Sequence, residues 1–222
     1  FRDTGESLYE TPRPYVDSIN DPSRTVGINN AIPTIQTEEN CLTTYCRIVS
    51  VDFSNFNVTT IPESFSQLIM LQSVKLSNNN ISEIPYSFYN LPDIQYLDFS
   101  YNNLTEIYSG ISSQNQIYHL NLSSNSLTSL PTSLSLLHEI SFLNISLNNI
   151  TEFPFSDFPN ISSLFINGNK ISELNESFCD LNINWEDYNN IVMDNHLCSN
   201  IPSCLIESNT VGNQFCNENQ QT

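Results

Sequence analysis

Two residue types in this chain are spaced for covalent chemistry: cysteine, and asparagine followed two places on by a hydroxyl. Six cysteines fall into two groups, Cys41 and Cys46 toward one end and Cys179, Cys198, Cys204 and Cys216 toward the other. Such grouping reads as disulfides made in an oxidising compartment. The rival reading is a metal site, but the spacing matches no usual zinc pattern and His119, His138 and His196 are scattered. Asn-x-Ser/Thr, the acceptor signature for N-linked sugar, occurs at Asn57, Asn80, Asn103, Asn121, Asn144, Asn149, Asn160 and Asn175. About six or seven such triplets would arise by chance in a chain so rich in Asn, Ser and Thr, so placement must carry the argument. Catalysis has no foothold. There is no nucleophile–base pairing, no phosphate loop among the five glycines and no paired metal ligands, so neither enzyme activity nor a cofactor is expected.

The elements that must position these residues repeat. LSNNNISEIP, residues 76–85, returns as FSNFNVTTIP, FSYNNLTEIY, LSSNSLTSLP, ISLNNITEFP and INGNKISELN, with starts 23, 23, 23, 23 and 21 residues apart. A fixed period of this size marks a solenoid. Written as LxxLxLxxNxLxxLPxxxFxxLxx and counted from its first apolar place, the second unit runs Leu71, Val74, Leu76, Asn79, Ile81, Ile84, Pro85, Phe88, Leu91. The opening alternation is that of a short strand. One such strand cannot bury its apolar face alone, and stacked copies make a continuous core. The ninth-place asparagines (Asn79, Asn102, Asn125, Asn148, Asn169) lie between apolar neighbours. An amide donates and accepts, so each can satisfy turn backbone in its own coil and the next. Phe65, Phe88 and Phe178 form a column expected on the convex side. Departures are Phe56 in place of the first asparagine, Tyr108 in place of a proline, Gln114 for a leucine and a fifth unit two residues short.

These registers resemble the leucine-rich repeat family over about Cys41 to Cys216, and the end around DNHLCSNIPSC, residues 194–204, resembles that of plant-type extracellular members with cysteine caps. The resemblance implies an α/β-type solenoid, right-handed and curved, with a parallel sheet on its concave face, about six 23-residue repeats and a terminal repeat between disulfide-bonded caps. The expected layout is an extended arm over 1–40, a cysteine cap over 41–47, repeats over 48–183, and a terminal repeat, cap and tail over 184–222, with Trp185 in the cap core. The first residue is Phe1 rather than Met, and the expectation is a chain processed or trimmed there. Extracellular members mostly bind proteins or glycans on the concave face.

Register sharpens both kinds of covalent chemistry. Cys41 and Cys46, alone at their end, are expected to pair. The other four allow three connectivities. Same-place residues in adjacent coils lie about 5 Å apart, inside the roughly 4.4–6.8 Å that a disulfide needs between Cα atoms. Cys179 and Cys204 hold the nineteenth and about the eighteenth places of neighbouring units, which pairs them and leaves Cys198 with Cys216. Among the acceptor asparagines, Asn57, Asn80, Asn103 and Asn149 all hold the tenth place, in a turn facing solvent. Asn121 and Asn144 hold the fifth, on the concave strand, where sugar would crowd a binding face. Candidates for that face are Lys75, Tyr96, Asp98, Tyr101, His119, Phe142 and Phe165, since rings supply contact area at low entropy cost.

Composition limits the partners. With 24 acidic and six basic residues the net charge is −18, which repels a phosphate backbone and argues against nucleic acid. No apolar run approaches the roughly 20 residues of a membrane span. Two functions fit: a secreted or cell-surface glycosylated module recognising a protein or glycan, or a subunit that assembles head-to-tail with copies of itself, partly through the N-terminal arm, into an extracellular glycosylated filament or coat.

Overall fold

The computed structural model describes residues 34–37, 48–113, 116–153, 158–181, 183–185, 192–199, 201–208 and 211–216. Seven strands form one sheet in chain order: β1 (Thr34–Thr37), β2 (Ile48–Asp52), β3 (Ser73–Lys75), β4 (Tyr96–Asp98), β5 (His119–Asn121), β6 (Phe142–Asn144) and β7 (Ser163–Phe165). From β2 to β7 every pair is parallel and joins equal places of successive repeats, as in Val51↔Val74, Val74↔Leu97 and Leu97↔Leu120. The fourth place is therefore an unbroken buried apolar row through Leu143 and Leu164. The third and fifth places flank it on the opposite face, half-buried.

β1 falls within the arm expected over 1–40. Its four residues pair antiparallel with β2, Thr34 opposite Asp52 and Gln36 opposite Ser50. The sheet would otherwise begin on a bare edge of unpaired amides and carbonyls, and this strand covers it. Weak side-chain alternation hid it, because what β1 supplies is backbone. The rest of that arm, Cys41, Cys46 and the tail from Asn217 lie outside the described residues.

Opposite the sheet, each described return passes through a short 3-10 turn, at Glu63–Gln67, Tyr86–Asn90, Ser109–Ser113, Thr132–Leu136 and Glu176–Asp180. In the first, second and fourth repeats a proline precedes the turn (Pro62, Pro85, Pro131) with φ near −65 to −70°, the angle its ring enforces. In the third repeat Tyr108 stands there instead, and its free N–H donates to the Tyr89 hydroxyl at 3.3 Å. Burial pushes that hydroxyl up to about 12. Each turn drops a large apolar residue into the core, Phe65, Phe88, Ile111, Leu134 and Phe178, and the second buries Tyr89 as well. Phe65 and Phe88 stack at 5.8 Å, and Phe178 packs on Trp185 at 5.0 Å.

The C-terminal end is closed covalently. Cys179 bonds Cys204 with 5.7 Å between Cα atoms, and Cys198 bonds Cys216 with 5.6 Å. The first bridge ties the last 3-10 turn to α1 (Ser203–Ser208). The second holds residues 211–216 against the terminal repeat.

Candidate functional site

The ninth-place asparagines form a ladder with a direction. Asn102 donates Nδ2 to Phe99 O and Ser100 O in its own coil and to Leu76 O in the coil before, at 2.8–3.2 Å, and its Oδ1 accepts the N–H of Ile81, also in the coil before. Asn79, Asn125, Asn148, Asn169 and Asn195 do the same. The neighbour served is thus the preceding coil, not the following one. Phe56 then ceases to be an anomaly: among the described residues no repeat precedes the first coil to offer the carbonyl and N–H that an amide there would reach back to. Phe56 is half-buried and packs edge-on against Phe53.

At the far end, Gln214 completes the ladder. Its Oε1 accepts the Leu197 N–H at 3.1 Å, and its Nε2 donates to Val192 O and Val211 O at 3.4 and 2.7 Å. These are the partners that the ninth-place asparagine of an eighth coil would take. Spacing gave no signal for this residue, because Gln is one carbon longer than Asn and residues 211–216 match no repeat template.

The sheet face carries a column of rings. Tyr96, His119 and Phe142 occupy the third place on β4, β5 and β6 and stack plane on plane, 4.1 Å between centroids at each step with interplanar angles of 9° and 6°. The next coil has Ser163 at that place, and Phe165 from its fifth place continues the column at 5.5 Å, tilted 46°. Lys75 closes the other end, its Nζ 5.6 Å from the Tyr96 ring. Burial between two rings holds the His119 imidazole below the ordinary histidine value; Asp98 opposes that shift and Lys75 adds to it. Burial, then Asp98, raises the Tyr96 hydroxyl. Parallel stacking turns the ring faces toward one another and leaves their edges at the surface.

Of the seven sequence candidates the strands bring six together. Tyr101 is the exception: it sits past β4 at the eighth place, with φ 54° and 60% exposure. Every described coil is left-handed at that place, through Asn55, Asn78, Tyr101, Ser124, Leu147, Gly168 and Asp194. Only Gly168 is free of the Cβ penalty this region imposes. The mixed residue types hid the turn from the sequence. The fifth place also has a structural role: Asp52, Asp98, Asn121 and Asn144 each accept the N–H of the serine two residues on, closing the strand with a tight side-chain turn. Among the described residues no group of three or more His, Cys, Asp or Glu could hold a metal.

A sequence profile of the family described as Leucine Rich Repeat matches residues 70–91 and 116–137. The BIR2 ectodomain of Arabidopsis thaliana is 30% identical with a TM-score of 0.51, over 56% of this chain and 69% of that one. The chain belongs to the leucine-rich repeat family. Its fold is the right-handed curved leucine-rich repeat solenoid with the sheet on its concave side. The BIR3–SERK2 complex of the same plant matches at 26% identity and a TM-score of 0.55, covering 72% of this chain and 86% of that one. A leucine-rich repeat protein of Leptospira interrogans matches at 23% and 0.57, over 72% of this chain and 40% of that longer one. By sequence, no curated protein matches. Leucine-rich repeat ectodomains are scaffolds for protein recognition, and that general role comes with the family. No described helix is long and apolar enough to cross a membrane.

Proposed function

We propose that the chain is an extracellular, non-enzymatic recognition module that binds a protein partner across its concave sheet. The observation that carries this is the ring column Tyr96–His119–Phe142–Phe165, half-buried yet reaching the surface on four consecutive strands. Rigid aromatics supply contact area without losing much side-chain freedom. Their edges, not their faces, meet solvent, which favours apolar and polar protein side chains over a sugar ring that would need a face to stack on. A charge of −18 favours fast encounter with a basic partner, and the two C-terminal disulfides fit an oxidising compartment. The BIR3–SERK2 relative, solved as a complex of two proteins, supports the same reading.

The test is a screen of the full chain against an array of secreted and cell-surface proteins, followed by substitution. Tyr96→Ala and Phe142→Ala should each weaken binding about tenfold or more, as truncation of an interface anchor does. Leu136→Ala, on the opposite side and exposed, should leave it unchanged. Binding partners indifferent to both concave substitutions would end the proposal.

A further inference from the structure

The eight Asn-x-Ser/Thr triplets separate by what the fold already asks of their side chains. At Asn121 the side-chain carbonyl accepts the N–H and hydroxyl of Ser123 at 3.2 and 2.8 Å, and at Asn144 those of Ser146 at 3.0 and 2.7 Å. Both serines are buried. Asp98 makes the same two bonds with Ser100, at 2.9 and 2.6 Å. An aspartate takes no sugar, so where the fifth place carries a side-chain oxygen that oxygen closes the turn, and the triplets at Asn121 and Asn144 are accounted for by that bond, although Lys75 and Phe165 hold the place in two other coils. Asn160 is also employed, its Nδ2 donating to His138 O at 2.8 Å while Ser162 Oγ donates to Ser141 O at 3.0 Å. Asn175 accepts the hydroxyl of Ser177.

Asn57, Asn80, Asn103 and Asn149 are different. Their side chains make no hydrogen bond to any described residue. The first three are exposed and Asn149 is half-buried, while the hydroxyl residues Thr59, Ser82, Thr105 and Thr151 are all exposed. Backbone ties neighbouring coils here, with the N–H of Asn80, Asn103 and Asn149 donating to Val58 O, Ile81 O and Leu127 O at 2.8 Å. The segment is therefore extended, and the tenth and twelfth places project together, away from the inward eleventh. The fold does not require asparagine at the tenth place, since Ser126 and Lys170 take it in other coils; Asn57 alone has a backbone reason, its φ of 54°.

We infer that Asn57, Asn80, Asn103 and Asn149 are N-glycan acceptors, and that Asn121 and Asn144 stay bare. Sugar then coats one flank of the solenoid and leaves the ring column open. At each acceptor Nδ2 forms a bond to the anomeric carbon of a lipid-linked oligosaccharide. The polyprenyl pyrophosphate departs, and the amide loses one proton. This inference does not rest on the recognition reading, because it concerns side chains off the concave face and is read by mass alone.

The full chain, secreted from a eukaryotic host, is deglycosylated enzymatically in heavy-oxygen water and its peptides mapped. The label should appear at three or four of the tenth-place asparagines and be missing at Asn121 and Asn144. Two variants place new triplets in each register. Ser126→Asn makes Asn-Leu-Thr at the tenth place and should add one glycan increment to the mass. Asp98→Asn makes Asn-Phe-Ser at the fifth and should add none. Label on fewer than three tenth-place sites, label on Asn121 or Asn144, or an added glycan in Asp98→Asn overturns the inference.

Discussion

The first and last coils of the array solve opposite problems. The first has no repeat behind it, and its ninth place can be a phenylalanine, Phe56. The last has no repeat in front of it, and residues outside the periodic pattern must supply Gln214 to finish Leu197 and Val192. The contrast follows from the backward reach of each asparagine. A ladder of side chains that satisfied both neighbours equally would need the same device at each end. This one takes an extra amide from Gln214 at its finish, and the sheet edge at its start is covered by backbone pairing from β1.

The contrast breaks most visibly in the middle. Asn102→Leu strands the buried Ile81 N–H, at about 1–3 kcal/mol for a group left unsatisfied, and takes one of two donors from the carbonyls of Leu76 and Phe99, which keep Asn79 and Asn125. A loss of about 2–3 kcal/mol is expected in denaturant unfolding, and Phe56→Asn at the equivalent place should give no gain. Equal effects at the two positions would remove the direction from the ladder. Gln214→Leu should cost less, about 1 kcal/mol, because its partners are only part-buried. Its signature is local: faster amide exchange at Leu197, with the N-terminal coils unchanged.

The smallest effect concerns the coils between the ends. His119 is held below its ordinary value, so at acid pH the unfolded chain takes up the proton more readily than the folded one. The stabilisation is present above about pH 6.5 and is lost as the pH falls through the folded value. His119→Phe keeps the ring column and should flatten this part of the stability profile relative to the parent chain. An unchanged acid slope would mean that other groups set it.

The period, the strand places and the inward rows were legible because they depend on apolar residues recurring at fixed spacing, as Val74, Leu97 and Leu120 do. The ring column was legible in part: its members were identified, but face-to-face stacking depends on strand register and rotamer, and Tyr101 lies on the turn instead. Features built from backbone left little trace. β1 is recognised by its pairing, not its side chains, and the left-handed eighth place accepts Asn, Tyr, Ser, Leu, Gly and Asp alike. Gln214 was hidden for another reason. It reproduces a repeat's bonds without a repeat's spacing.

The backward reach of the asparagines also bears on how the chain is made. Synthesis runs from the N-terminus, so each newly emerged coil has an N–H, that of Ile81 and its equivalents, that the asparagine of the following coil satisfies. A growing chain therefore always carries one unfinished coil at its leading end, and a nascent fragment is completed behind that front, never at it. Shortening the finished protein from its two ends is then unequal. Removing a front coil takes acceptors from its successor, as Gln72 O and Ile81 O are to the N–H groups of Gln95 and Asn103, whereas removing residues 211–216 takes the acceptor from the Leu197 N–H and returns the last coil to the state it had during synthesis.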